Sequence, residues 1–170
     1  MILHPLSNTP HKFIGGFGQS RPRLTQDFNG RPEFYAQFGL KSHGGVDFGS
    51  NGNKTIYAPF AGQAKVINSG KNGYGLHIKI RDGEKECVLG HLSEAFILDG
   101  ANVHMGDKIG LMGTTGLSSG IHLHFGLRFT ENVGALWSRK ILNEDNGWHG
   151  YVDPLEFMLC WKGTQNKLDY

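Results

Sequence analysis

The chain has 170 residues, of which 38% are hydrophobic and 19% are charged, and its formal net charge at neutral pH is +2. This length fits one globular domain that can bury a sizeable core. A net charge so small, without a dense run of lysine and arginine, argues against a nucleic-acid partner. No apolar stretch is long enough for a transmembrane helix. The N-terminal MILHPLSNTPHKF lacks the basic start and long apolar core of a secretory signal, so none is predicted.

Short apolar segments separated by turns run through the chain. The chain contains 26 glycines and 6 prolines, a composition that favours strands over long helices. Asp82-Gly83 lies between two such segments and predicts a hairpin. In the first of these segments His77 alternates with apolar neighbours, which predicts that it faces solvent. In chain order, the predicted strands lie at 24–28, 45–49, two within 55–70 that separate at Pro59 and Gly62, 74–83, 84–93, within 106–116, and 121–129.

The C-terminal part of the sequence has a different character. We interpret the polar and aromatic segment 130–151 as a loop insertion that contains a helical turn. Beyond it, Asp153 can act as an N-cap, Pro154 occupies the first helical position, and Glu156 follows three residues after the cap. This arrangement predicts a short C-terminal helix.

The predicted fold is mainly β, with antiparallel sheets and that short helix at the C-terminus. We expect a single domain over residues 1–170, with a core from about 12 to 160. The two cysteines, Cys87 and Cys160, are far apart and lack a metal-binding spacing. They are interpreted as two free thiols, with a single disulfide as the alternative.

The chain contains nine histidines, some in segments that could converge. His122 and His124, in IHLHFGLRF, are two residues apart in a predicted strand, so their side chains share a face. Imidazole nitrogens and carboxylates are ligands of Zn²⁺, and a catalytic zinc site uses three of them plus water. The glycines of HGGVD let the backbone turn so that His43 and Asp47 reach one ion. An H-x-H pair alone is more often a surface feature, but its presence together with HGGVD, and with His91 in LGHLS, favours a metal site.

Three sequence stretches resemble one protein family. SHGGVDFGSNGNKTIYAPFAGQAKVI contains an H-x-x-x-D motif, VHMGDKIGLMGTTGLSSGIHLHFGLR contains the later H-x-H, and LGHLSEAF lies between them. In this order they resemble the lysostaphin-type zinc endopeptidases, which cleave peptide bonds in bacterial peptidoglycan. The resemblance runs from about Gly15 to Arg128. It implies antiparallel sheets of the duplicated hybrid-motif, lysostaphin-type peptidase fold.

The resemblance also implies roles for particular residues. His43, Asp47 and His124 would bind one Zn²⁺ per chain, and His91 and His122 would be catalytic beside it, with either of them as the general base. Two tyrosines are candidates for stabilising the oxyanion or contacting substrate: Tyr35 and Tyr74.

The implied function is a zinc metalloendopeptidase with bacterial peptidoglycan as its substrate. The stretch RLTQDFNGRPEFYAQFGLKSHGGVDF is more similar to phage-borne members than to secreted ones, which suggests a virion-associated or phage-released protein acting on the cell wall. The bond could be a glycine cross-bridge, a D-Ala–diaminopimelate cross-link or a stem-peptide bond. The loops expected to choose between these are 68–75, 93–105 and 130–151. Four aromatic residues are candidate groove walls: Tyr74, Trp137, Trp148 and Tyr151.

Parts of the sequence are also compatible with two other interpretations. A protein of the same fold can be catalytically inactive and serve as a peptidoglycan-binding or activator module, but this chain retains every signature position. APFAGQAKVI with GDKIGLMG is also similar to the hybrid motif of biotinyl and lipoyl carriers and of phosphotransferase proteins. LMGTTG offers no lysine for a prosthetic group, and phosphotransfer would not require Asp47 beside His43.

Overall fold

The computed structural model describes residues 2–6, 11–18, 35–50, 52–131, 134–138 and 140–159. No helix in these ranges is both long and apolar enough to cross a membrane. The predicted strand at 24–28 and Cys160 lie outside them. The strands are β1 (Ile2–Leu3), β2 (His11–Gly15), β3 (Val46–Ser50), β4 (Thr55–Tyr57), β5 (Gly62–Asn68), β6 (Leu76–Arg81), β7 (Lys85–Gly90), β8 (Leu92–Ala95), β9 (Asn102–Val103), β10 (Lys108–Met112), β11 (Leu123–Phe129), β12 (Tyr151–Val152) and β13 (Met158–Leu159).

Most of these strands form one large sheet in the order β2-β3-β11-β7-β6-β5-β9, with β12 paired to β11. A second sheet has the order β4-β10-β8, and β1 pairs with β13 in parallel. The pairings within the large sheet and the β4-β10-β8 sheet are antiparallel. The prediction of a mainly β, antiparallel fold is therefore confirmed.

The hydrophobic core lies on one face of the large sheet and includes apolar residues of the β4-β10-β8 sheet. Alternation along β11 directs Leu123, Phe125 and Leu127 into this core, where all three are fully buried. The opposite face of β11 carries His124, Gly126 and Arg128. This second face is the one that bears the candidate site.

The β6–β7 hairpin forms where Asp82-Gly83 predicted it. The Asp82 carboxylate accepts hydrogen bonds from the backbone N–H groups of Glu84 and Lys85, and Gly83 adopts a φ of 110°. The expectation that His77 faces solvent is wrong. Its ring is buried, bonded through Nδ1 to the Gly75 carbonyl and packed on Tyr74, because the face of the sheet away from the core is itself covered there.

The C-terminal helix begins as predicted but is much shorter. Asp153 caps it by accepting a hydrogen bond from the Leu155 N–H, and Pro154 occupies the first turn. The helix is a single 3-10 turn, Pro154–Glu156, after which β13 pairs with β1. Residues that the local pattern assigned to the helix, Met158 and Leu159, thus form a strand because they pair with β1.

Candidate active site

A cross-strand pair forms the centre of the site. His124 on β11 lies directly opposite Asp47 on β3, and its Nδ1 is 3.2 Å from the Asp47 Oδ1. His43, in the loop before β3, places its Nε2 3.0 Å from the His124 Nδ1 and 3.2 Å from the same Asp47 oxygen. All three side chains are buried. The structure thus brings three potential metal ligands from the H-x-x-x-D and H-x-H motifs into one small triangle.

The loop that carries His43 requires glycine at one position. A Cβ on Gly45 would lie 2.6 Å from the Phe125 carbonyl oxygen and 2.7 Å from the His124 Cε1. A Cβ on Gly44 would meet only ordinary contacts of 3.8 Å or more. Gly45 therefore lets the loop approach β11 closely enough for His43 to reach His124.

Hydrogen bonds to backbone carbonyls fix the orientation of three imidazole rings in the site. A carbonyl oxygen only accepts, so the Nδ1 of each ring carries the proton and the Nε2 of the neutral ring presents a lone pair. The three bonds are His43 Nδ1 to Gly16 O (3.0 Å), His91 Nδ1 to Thr115 O (2.8 Å) and His122 Nδ1 to Gly120 O (2.8 Å).

The local environment favours a charged carboxylate at Asp47 and neutral rings at His124 and His91. Burial opposes ionisation of Asp47, but the adjacent His43 and His124 outweigh it and hold the pKa of this carboxyl well below its usual value. Burial lowers the pKa of His124 although Asp47 acts in the opposite direction. Burial, helped by the neighbouring His124 and His122, lowers the pKa of His91 to about 3. A charged Asp47 and a neutral His124 are the protonation states that a metal ion requires of these two ligands.

The triangle fits a tetrahedral metal ion better than a hydrogen-bonded cluster. Nitrogen ligands about 2.0–2.1 Å from zinc are about 3.3 Å apart, close to the observed 3.0–3.2 Å. With neutral rings, the three facing atoms of His43, Asp47 and His124 share at most one proton. One proton on the His124 Nδ1 would still leave the His43 Nε2 lone pair facing the Asp47 Oδ1 at 3.2 Å, with no proton between these two acceptors. A cation at the triangle satisfies all three lone pairs.

His91 and His122 lie beside the triangle. Their ring centroids are 4.6 Å apart, and the His122 Nε2 is 3.8 Å from the Asp47 Oδ1. His91 has a positive φ of 65°, unusual for a residue with a side chain, and it separates β7 from β8. The continuous strand predicted over 84–93 is therefore wrong at this residue. His122 precedes β11 and makes an isolated bridge to Gly113.

These groups line a cleft of about 340 Å³. Tyr35 and Tyr74 both line it, with ring centroids 6.1 Å from that of His43 and 4.9 Å from that of His124, respectively. Residues of 68–75 and of the 130–151 insertion also contribute to its walls, whereas the 93–105 loop contributes none to the described lining. Besides the three potential metal ligands, His91 and His122, the described part of the chain contributes eleven further residues to the cleft lining. They are Tyr35, Phe38, Leu40, Gly44, Gly73, Tyr74, Leu117, Arg128, Glu144, His149 and Tyr151.

Among the four aromatic candidates for groove walls, Tyr74 and Tyr151 line the cleft and the two tryptophans are not in the lining. Trp137 packs against Lys65 and Arg81, and Trp148 packs against Phe17 and Lys41. The tryptophans therefore anchor the insertion to the rest of the protein.

Arg128 is a cleft residue that the sequence analysis did not single out. It lies four residues beyond His124, on the same face of β11. The alternation that placed His122 and His124 on one face also places Arg128 there, and this was the available signal.

Comparison with known proteins agrees with this geometry. The model of peptidase family M23 matches residues 41–135, which is more than half of the chain and includes the three potential metal ligands, His91 and His122. The chain belongs to peptidase family M23. The resemblance to lysostaphin-type peptidases is thereby confirmed.

Several proteins are similar in sequence to this M23 chain, and two of them show the range. A Haemophilus influenzae protein named as an uncharacterized metalloprotease is 32% identical over 108 residues, which are 63% of this chain and 23% of that protein. The DD-carboxypeptidase/endopeptidase Mpg of Neisseria meningitidis serogroup B is 36% identical over 87 residues, which are 51% of this chain and 20% of Mpg. The matched region thus spans about a fifth of the length of these relatives.

A solved M23 structure shows the same architecture. The catalytic domain of lysostaphin, an antimicrobial peptidase from Staphylococcus simulans, has a TM-score of 0.60 and 25% sequence identity to this chain. The match covers 89% of this chain and 93% of the lysostaphin domain.

Proposed function

We propose that this M23 member is a zinc-dependent endopeptidase that hydrolyses peptide bonds in bacterial peptidoglycan. One observation carries the proposal. The His43 Nε2, Asp47 Oδ1 and His124 Nδ1 form a buried triangle with sides of 3.0–3.2 Å, and two further histidines stand beside it in the same cleft. Such a set of three ligands with adjacent acid–base groups is typical of a hydrolytic metal site.

The donor set supports zinc, with one ion per chain. Two imidazole nitrogens and one carboxylate oxygen suit Zn²⁺, and a catalytic zinc site with three protein ligands would keep a fourth position for water or substrate. When bound, zinc supplies Lewis acidity, which lowers the pKa of water to roughly 7 and polarises a carbonyl oxygen. His43, Asp47 and His124 hold the ion in this proposal.

His91 and His122 are the proposed acid–base residues. Each donates its Nδ1 proton to a backbone carbonyl, so its Nε2 is held ready to accept a proton and then return it to the leaving amine. Positioned acid–base groups of this kind contribute about 10²–10⁴-fold to a rate.

Tyr35 and Tyr74 are the proposed donors to the substrate carbonyl oxygen. Burial raises the pKa of Tyr74, so its phenol remains protonated and can donate a hydrogen bond. Both phenols stand at the wall of the cleft that the metal-site histidines line.

The names of the relatives support the substrate class. Lysostaphin is an antimicrobial peptidase and Mpg is a DD-carboxypeptidase/endopeptidase. Bonds between D-configured centres occur in peptidoglycan, which makes cell-wall peptides the proposed substrate of this chain. The proposed place of action is the cell wall, with a phage particle as a route of delivery.

The direct test is digestion of purified peptidoglycan by the zinc-loaded protein. We expect release of new amino groups, with mass spectrometry identifying the cleaved bond, and near one zinc per chain by metal analysis. A protein that binds peptidoglycan and zinc but releases no amino groups would instead be a binding or activator module. Absence of zinc uptake would contradict the assigned ligands.

A further inference from the structure

Two arginines bind one buried glutamate in a nearly symmetrical way. Arg81 donates from Nε and Nη2 to the Glu86 Oε2, and Arg128 donates from Nε and Nη2 to the Glu86 Oε1. Each arginine also donates from Nη1 to a carbonyl of the 130–151 insertion: Arg81 to Leu136 O at 2.9 Å and Arg128 to His149 O at 3.3 Å. Both guanidinium groups therefore connect the insertion to the sheet.

The charges of this cluster do not cancel. Glu86 is a single carboxylate, and besides the two arginines it has Lys79 nearby, with Nζ 3.8 Å from Oε1. Three cations thus surround one anion. Burial lowers the pKa of Lys79; Glu86 acts in the opposite direction, and the adjacent Arg128 and Arg81 lower this pKa further.

Only one of the two arginines reaches the cleft. The Arg81 side chain is 4% exposed and is covered by Trp137, whereas the Arg128 side chain is 14% exposed and lines the cleft next to Tyr151. Three of the five Arg128 N–H donors are used in the contacts described above, which leaves one on Nη1 and one on Nη2.

The position of Arg128 sets its distance from the metal triangle. Four residues along a strand correspond to roughly 13 Å between the Cα atoms of His124 and Arg128. The guanidinium is held on Glu86, directly opposite Arg128 on β7, and lies 5.0 Å from the ring centroid of Tyr151. Tyr151 in turn interacts with Tyr74, whose ring centroid is 4.9 Å from that of His124.

Among the described residues of the cleft wall, the charged ones besides Arg128 are Asp47 and Glu144. Glu144 lies on the exposed rim, where solvent screens its carboxylate.

We propose that Arg128 binds a carboxylate of the substrate peptide close to the scissile bond. The inference rests on the proposed endopeptidase function and names its substrate class: a cross-link in which the residue that supplies the amine carries a free carboxylate beside that amine. A D-Ala–diaminopimelate cross-link has this group. A glycine cross-bridge and a cross-link through a lysine side chain have none.

The test compares two matched substrates. They are peptidoglycan dimers joined by a D-Ala–diaminopimelate bond, with the diaminopimelate carboxyl next to that bond either free or amidated. We expect kcat/KM of the zinc-loaded protein to be about tenfold to a hundredfold higher for the free acid, as for hydrogen bonds to a charged group. Equal kcat/KM for the two dimers in the wild-type protein would overturn the proposal, and this comparison needs no variant.

Arg81 provides the matched control variant. In Arg128→Gln we expect the preference for the free acid to fall to near unity. In Arg81→Gln, which removes the same number of bonds to Glu86, we expect the wild-type preference to be retained. If Arg128→Gln does not fold, Arg128→Lys, which keeps a charge without the planar fork, should show a reduced preference. An equal loss of preference in the Arg81 and Arg128 variants would show a general effect on the cleft and contradict the assignment.

A binding measurement separates this proposal from the endopeptidase function. Calorimetry on the metal-free protein should show tighter binding of the free acid than of the amide, and Arg128→Gln should abolish the difference. A wild-type protein that shows this difference but cleaves neither dimer when zinc-loaded would refute the endopeptidase function and support the carboxylate site. A protein that cleaves both dimers equally well and binds them with equal affinity would support the endopeptidase function and refute the carboxylate site.

Discussion

Substitution of Gly45 by alanine tests the close approach on which the metal triangle depends. The new Cβ would lie 2.6 Å from the Phe125 carbonyl oxygen and 2.8 Å from the His124 Nε2. A carbon–oxygen contact needs about 3.3 Å, so the loop and β11 must separate by about 0.7 Å. Functional groups must be held within about 0.5 Å of their productive geometry. A shift of this size between His43 and His124 would therefore place them too far apart to bind one ion.

The expected cost has two parts. Overpacking of a buried contact destabilises a protein by about 1–3 kcal/mol. For a chain of 170 residues each kcal/mol lowers the Tm by about 2–4 °C, which gives a Tm lower by about 2–12 °C. Because the shift separates two of the three ligands, we also expect zinc affinity to fall by at least about tenfold.

The assay is thermal unfolding by circular dichroism together with zinc competition against a chromogenic chelator. Gly44→Ala is the matched control, because its Cβ would meet only Tyr151 at 3.8 Å and Leu40 at 3.9 Å. We expect this control to keep wild-type zinc affinity. If Gly45→Ala and Gly44→Ala have the same Tm and the same zinc affinity, the close approach does not constrain the site and the reasoning is refuted.

Three further predictions concern other parts of the molecule. His124→Ala should lose zinc, whereas His122→Ala should keep near one zinc per chain and lose about 10²–10⁴-fold in peptidoglycan hydrolysis; full hydrolysis by both variants would place the site elsewhere. Glu86→Ala should lower the free energy of unfolding, measured in urea, by about 3–5 kcal/mol, because it leaves two arginines and a lysine without their carboxylate. As a control, substitution of the exposed Glu84 by alanine should keep the free energy of unfolding within about 0.5 kcal/mol of wild type. Burial raises the pKa of the Cys87 thiol, so iodoacetamide at pH 8 should label this residue only in urea; peptide mapping that finds it alkylated in the folded protein would contradict its burial.

The positions of most central strands along the chain could be predicted from the sequence, because the signals that mark a strand are local. Alternation of apolar and polar residues marks β6 and β11, and Asp82-Gly83 supplies both the φ and the side-chain acceptor of the hairpin turn. Asp153 and Pro154 likewise mark where the C-terminal 3-10 helix begins. Its length was not predictable in this way, because β13 pairs with β1, more than 150 residues away in sequence.

In the candidate site, too, some features could be predicted from the sequence and others depend on distant segments. Spacing alone placed His122 and His124 on one face, and the family resemblance assigned His43 and Asp47 to the same ion, which the structure supports by bringing them within 3.0–3.2 Å of His124. The direction of each ring depends on a carbonyl acceptor remote in sequence, such as Gly16 for His43. A sequence does not reveal such acceptors, since they come together only on folding.

What the sequence by itself determined is the set of chemical groups and the shared face of His122 and His124, because these follow from a period of two along the predicted strand 121–129. The same period places Arg128 on that face. Only the tertiary structure decided which arginine can meet a substrate. Arg81 and Arg128 make equivalent bonds to Glu86, yet the packing of Trp137 covers the first and leaves the second in the cleft. Exposure of that kind is a property of packed neighbours from distant segments, and no local pattern encodes it.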